Sequence, residues 1–267
     1  MRASKHFPAI KIDGDYFIEG FLGLKWLPSD EALANRNKWE SEVDDVLGKL
    51  VKPQSSAAVL KALCDSGKTL TIYPELEKDC NASAIPLDKQ KAARSGSPAE
   101  NCSASVSGAN AGQGGGTITK ITFSPRQFTA GRCSDAGTKG AGHEADEILF
   151  HELTHAMRYS TGQRDSCFTS VVGWGDYEEF LAIVLTNVFS SETGRSLRKD
   201  HEGYTLMPRT SRVYDSKGNR FDVNLHDAQI FCNWFRKQLT NFQIYQRPLC
   251  NRLASLRSIR WNPFWYL

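Results

Sequence analysis

The residues of this chain best suited to chemistry are five in a row: His151, Glu152, Leu153, Thr154 and His155. On an α-helix, side chains four apart share a face, so both imidazoles can reach one metal ion. Glu152 stands about 100° further round, where it can touch water at the metal without ligating it. Two neutral imidazoles suit zinc, and a carboxylate so placed is the general base of a zinc peptidase. The plain alternative is two histidines and a glutamate meeting by chance on a polar helix face.

A catalytic zinc takes three protein ligands and keeps one position open. The metzincin extension, a glycine and a third histidine at fixed spacing, is absent, since Arg158 stands where that glycine would be. The third ligand is therefore sought in Glu178 and Glu179, 23 and 24 residues beyond His155. Phe180, Leu181, Val184 and Val188 mark the buried side of a helix there. Glu179, Ile183 and Asn187 line the adjacent stripe, which favours Glu179 as ligand and leaves Glu178 to hold a histidine ring through its second nitrogen. The plain reading is two solvated acids at a helix start. Asp200 and His201 are weaker ligand candidates, because their polar loop gives them no fixed direction.

These side chains need helices under them. Gly140 and Gly142 break what precedes, Glu144, Asp146 and Glu147 load a first turn with negative charge, and Ile148, Leu149, Leu153, Ala156 and Met157 recur at helical spacing. The pattern predicts a helix from His143 to Tyr159, stopped by Gly162. A second runs from Asp176, its cap, to Phe189, with Gly194 beyond. A third, amphipathic, spans Asn224 to Ile244.

Upstream, Ile10, Ile12, Tyr16 and Ile18 around Asp13-Gly14 read as a hairpin, and Ser29 with Asp30 and Glu31 opens a helix that ends before Pro53. A short helix over Ser56–Leu63 and a strand over Lys68–Tyr73 follow. From Asp79 to Gly116 the chain turns to Ser, Ala, Gly, Asn and Pro, which predicts a long flexible loop over 79–116. Thr117 to Phe123 is a strand, either at the edge of the cleft, where extended substrate would pair with it, or in the core. The C-terminal aromatics, Trp261, Phe264, Trp265 and Tyr266, are expected to pack on the core.

With 267 residues, 24% of them charged and a net charge of +3, the chain can bury a sizeable core, and its charge does not indicate nucleic-acid binding. No apolar run is long enough to cross a bilayer, and the N-terminus has no signal-peptide core. Seven cysteines without a close CxxC pair argue against a structural zinc knuckle and leave disulfides open; sequons stand at Asn81 and Asn101.

HELTHAMRYSTG at 151–162, YEEF at 177–180, and Asn187, Gly194, Arg198 and Tyr204 together resemble the effector-type zinc metallopeptidases. These include type III secretion effector proteases and the peptidase domains of Rhs-type toxins. The glutamate pair is also similar to that of clostridial neurotoxin light chains, whose second glutamate binds zinc, and this again favours Glu179. The resemblance covers about half the chain. It implies an α+β, zincin-like fold: a small mixed or antiparallel sheet packed on the active-site helix, with a helical C-terminal part. Residues 1–66 would form an accessory region on a peptidase domain over 67–267, or the whole chain one domain. The expected activity is a secreted or delivered endopeptidase that cleaves target-cell proteins, with an immunity protein or secretion chaperone as further partner. One Zn2+ would be held by His151, His155 and Glu179, with Glu152 as base. Tyr204, backed by Arg198 and His201, would donate to the tetrahedral oxygen. The competing expectation is a non-enzymatic host-interaction protein with a structural or vestigial metal site.

Overall fold

The computed structural model describes residues 1–15, 29–75, 82–99, 111–129, 140–165, 167, 174–201, 204–214 and 217–267. Five short strands form one mixed sheet: β1 (Arg2–Ala3), β2 (Ile10–Ile12), β3 (Leu70–Tyr73), β4 (Ser83–Pro86) and β5 (Thr119–Thr122), in the order β1-β2-β3-β5-β4. The inner pairs β2–β3 and β3–β5 are parallel, with Ile10 opposite Leu70 and Leu70 opposite Thr119. The outer strands β1 and β4 run antiparallel to their neighbours. Ile10, Ile12, Leu70, Ile72 and Ile121 are fully or almost fully buried, as expected of strands covered by helices. Residues 1–66 thus supply two strands of this sheet as well as helices α1 (Asp30–Lys49) and α2 (Gln54–Asp65). Ser29 caps α1, its hydroxyl accepting from Ala32 N–H at 3.1 Å. Tyr16 and Ile18 of the expected hairpin lie outside the described residues; Ile10 and Ile12 pair with β1 and β3.

In the middle of the chain one expectation needs correction and one open alternative is decided. The stretch 79–116 is not one flexible loop: it contains β4 and a one-turn helix, α3 (Lys89–Ala92). Its glycine run is pinned, with Gly114 N–H donating to Ala93 O at 2.9 Å and Gly116 N–H to Lys91 O at 2.8 Å. Poor apolar content did not prevent order, because backbone hydrogen bonds and close packing replace side-chain burial there. The strand within Thr117–Phe123 is not an edge strand either. β5 lies between β3 and β4, so the core reading holds and β4 is the sheet's border. A short helix, α4 (Pro125–Thr129), follows β5.

The centre of the molecule is α5 (Ala145–Ser160), every residue of which is buried. A helix with no solvent face must be covered all round, and here β4 and β5, α1, α2 and α6 (Tyr177–Glu192) all pack on it. The acids of its first turn therefore do not face water. Asp146 receives a two-pronged hydrogen bond from Arg195 at 2.8 and 2.7 Å, and Glu147 accepts from the Ser190 hydroxyl. Gly162 ends α5 at a φ of +67°, where a Cβ would stand 2.3 Å from Gly114 O. Only glycine meets both demands. Asp176 caps α6, accepting from Glu179 N–H at 2.9 Å.

The C-terminal part is a hairpin, β6 (Thr210–Tyr214) with β7 (Arg220–Asn224), then α7 (Ala228–Tyr245) and α8 (Arg247–Ser255). An aromatic cluster joins α6 to α7: Phe180 and Phe235 rings are 4.8 Å apart, and Phe231 and Trp261 5.0 Å. Trp261 and Phe264 are buried, so these tail aromatics serve the core. Each such ring contributes about 1.5–3 kcal/mol through burial. The architecture is mixed α+β. Among the described residues no helix is long and apolar enough to cross a membrane. Cys64, Cys232 and Cys250 are free, whereas Cys167 is disulfide-bonded, to a partner outside the described residues. Asn81 and Asn101 also lie outside them.

Candidate metal centre

α5 and α6 bring three donor atoms to one point. His151 Nε2 lies 3.1 Å from His155 Nε2 and 3.1 Å from Glu179 Oε2, and His155 Nε2 is 3.5 Å from that same oxygen. Four-coordinate zinc with ligands at about 2.0–2.1 Å separates neighbouring ligand atoms by about 3.3 Å. The observed triangle has those edges. Two imidazoles and a carboxylate are also the donor types that zinc accepts, so the residues present fit such an ion.

The electrostatics of the cluster suit a cation. Two ring nitrogens 3.1 Å apart that face each other cannot both carry protons. Burial drives His151 down to about 4. For His155 burial acts in the same direction, but the Glu179 carboxylate overcomes it and lifts the ring to about 9. Burial would raise Glu179, yet the charge on His155 and hydrogen bonds from both imidazoles hold its carboxylate far below the usual range. The cluster thus keeps one positive charge between its donors, the place a metal ion would take. The outer nitrogens, His151 Nδ1 and His155 Nδ1, are buried without a hydrogen-bond partner among the described residues. Ring direction is set by packing instead, His155 lying against Tyr159 at 6.0 Å between centroids.

Glu178 does not hold a histidine, contrary to expectation. It points away from the donors and forms a buried fork with Arg158, 2.7 Å from Nε and 2.7 Å from the terminal nitrogen, while also accepting from Asp165 N–H. The helical rotation of about 100° between neighbours sends adjacent glutamates to different sites. Arg158, which replaces the metzincin glycine, is thereby a structural anchor between α5, α6 and the turn after α5.

Glu152 lies beside the donors and is buried; burial pushes its carboxyl up to about 7, with Glu179 adding to the effect and the charge on His155 opposing it. The backbone N–H of Ala84 on β4 donates to it. Sequence reading missed this contact, because four residues, SAIP, are too short a run to mark a strand.

Beside the site lies an arm whose described segments are 197–201 and 204–207, its stem closed by Met207 N–H to Leu197 O at 2.7 Å and Lys199 N–H to Thr205 O at 2.9 Å. Asn187 of α6 anchors the stem, donating to Arg198 O at 2.9 Å and accepting from Arg198 N–H at 2.7 Å. Arg198 is buried; its Nε donates to Asp200 O at 2.7 Å, a terminal nitrogen donates to His201 O, and its guanidinium lies 4.6 Å from the Tyr204 ring centroid. Among the described residues Tyr204 is the non-glycine residue with positive φ, 52°, a strained conformation of the kind found at functional sites. Burial raises its hydroxyl, Arg198 opposes this, and Glu152 adds to it. Asp200 turns to Lys199 and Thr205 rather than to the donors. His201 does reach them, with Nε2 3.2 Å from Glu179 Oε2. His151, Glu179 and His201 form a group able to hold a metal ion. Comparison of the chain with protein families, curated proteins and solved structures found no match.

Proposed function

We propose that this chain is a zinc-dependent endopeptidase of zincin-like architecture, with His151, His155 and Glu179 as ligands and Glu152 as general base. The observation that carries this reading is the triangle of donors 3.1, 3.1 and 3.5 Å apart beside a buried carboxyl with no ion pair among the described residues. A buried carboxyl without a counter-charge costs stability and is a candidate functional group. Zinc, when bound, supplies a Lewis acid for a peptide carbonyl and makes water more acidic. Glu152 then takes a proton from the attacking water on a carboxylate oxygen and delivers it to the leaving amine. Ala84 N–H fixes the carboxylate's direction. Tyr204 and Arg198, both within electrostatic reach of Glu152, would stabilise the developing oxyanion. β4 offers its outer edge for an extended peptide to pair with.

The motif resemblance supports reading this activity as that of a secreted effector or toxin that cuts proteins of a target cell. The disulfide at Cys167 supports passage through an oxidising compartment. An immunity protein or secretion chaperone is the partner such a protease would need. One observation favours a second reading, a structural metal site in a non-enzymatic host-interaction protein: His201 supplies a further donor, and structural zinc sites are closed by four ligands. Glu152→Gln separates the readings. Zinc content should stay at one per chain while cleavage of a peptide library falls by about 100-fold or more; undiminished cleavage would remove Glu152 from the mechanism, and no cleavage by either protein would favour the structural site.

A further inference from the structure

The donor set contains one more nitrogen than a catalytic zinc needs. Glu179 Oε2 faces three imidazole nitrogens, those of His151 at 3.1 Å, His155 at 3.5 Å and His201 at 3.2 Å, and the first two are 3.1 Å from each other. These separations match zinc ligand spacings of about 3.3 Å; the donors that close on one another as a group are His151, Glu179 and His201, and His155 adjoins that group through His151 and Glu179. The rings of His151 and His201 also lie face to face, with centroids 6.2 Å apart and planes inclined by 28°.

His201 nevertheless differs from the other donors in its setting. The side chains of His151 and His155 are 7% and 5% exposed and belong to α5, which cannot move without breaking the core. That of His201 is 47% exposed and sits on the arm. Its backbone is fixed, because Arg198 donates to the carbonyls of both Asp200 and His201. Its imidazole alone is free to turn into water, a rotamer change rather than a loop movement.

We propose that His201 is a fourth, displaceable metal ligand that closes the site at rest and yields its position when a substrate carbonyl arrives. The inference rests on the zinc-site reading above. No bond other than coordination changes: His201 Nε2 leaves with its lone pair and the incoming oxygen replaces it. A resting protease so closed would be latent, with an open form populated at about 1–10%. Ligands needing the open position would bind about 10- to 100-fold more weakly to the wild type than to a chain lacking the ring.

Zinc X-ray absorption on the full-length chain counts imidazoles directly. The wild type should show three, and His201→Ala two, with the exposed position leaving the fold intact. Acetohydroxamate, which takes the open position, should reduce the wild-type count to two, and should bind His201→Ala about 10- to 100-fold more tightly. Two imidazoles in the resting wild type, or equal hydroxamate affinity in both proteins, would overturn the proposal while leaving the peptidase reading intact. Absence of bound zinc from both proteins would overturn both. Three imidazoles with no proteolysis by either protein would sustain the fourth ligand and count against the peptidase.

Discussion

Adjacent glutamates with opposite duties can be separated by two substitutions. Glu178 and Arg158 are each about 3% exposed at the side chain and share two hydrogen bonds of 2.7 Å. The guanidinium is packed over Tyr177 and Phe242, 5.6 and 5.5 Å from the ring centroids. In Glu178→Ala this cation loses its counter-charge and keeps only the Gln163 carbonyl among the hydrogen-bond acceptors described. An uncompensated buried charge costs about 3–5 kcal/mol. For a chain of this length the unfolding entropy converts that to a fall in Tm of about 5–9 °C. Zinc affinity, measured by chelator competition well below Tm, should stay at the wild-type value.

Glu179→Ala should behave in the opposite way on the metal. Its oxygen is a vertex of the donor triangle, so zinc affinity should fall by more than the roughly 10- to 100-fold that loss of an outer partner causes. The double variant Arg158→Met/Glu178→Leu should regain most of the lost stability, because a well-packed apolar pair replaces a buried ion pair at little cost. Thermal melts and zinc titrations of the four proteins decide the matter. If Glu178→Ala melts within about 2 °C of wild type, or if it loses zinc as Glu179→Ala does, the division of roles is wrong.

Two further outcomes follow from the fold. Gly162→Ala should lower Tm by at least about 2 °C, since its φ of +67° disfavours any Cβ by about 1–2 kcal/mol and the added methyl meets Gly114 O at 2.3 Å; an unchanged melt would show that the run 113–116 does not pack there. Asp44 offers a pH test: burial would raise its carboxyl, but hydrogen bonds from Ser4 and Arg2 prevail and lower it from 3.8. A carboxyl lowered in the native state contributes stability above its unfolded value and loses it as pH falls through the native one. The Tm advantage of the wild type over Asp44→Asn should therefore be complete near pH 6 and shrink below 3.8, whereas a constant difference down to pH 2 would contradict it.

How much of this was legible in the chain depended on the range of the interactions involved. His151, Glu152 and His155 are fixed by helical spacing alone, and the helix was announced by its own glycines, acids and apolar stripe. Choosing Glu179 over Glu178 was still a local matter, because one residue of helix rotation separates a face toward α5's histidines from a face toward Arg158. What escaped was everything set by partners distant in sequence. Nothing near Arg158 says that its countercharge lies 20 residues on, and nothing in SAIP says that Thr119–Thr122 will pair with it and turn its Ala84 N–H to Glu152. The glycine-rich run 113–116 suggests freedom in the sequence, whereas at Gly116 it serves close approach: a Cβ there would stand 1.9 Å from Ser160 O at the end of α5. His201 is the instructive case. In sequence it is one histidine in a polar loop, without periodicity to aim it; its direction comes from Arg198, which is itself held by Asn187 of α6. The same helix that carries Glu179 thus also fixes the arm beside it, so ligand and arm are positioned by one rigid element, and His201 Nε2 meets the Glu179 oxygen at 3.2 Å with its ring stacked beside that of His151.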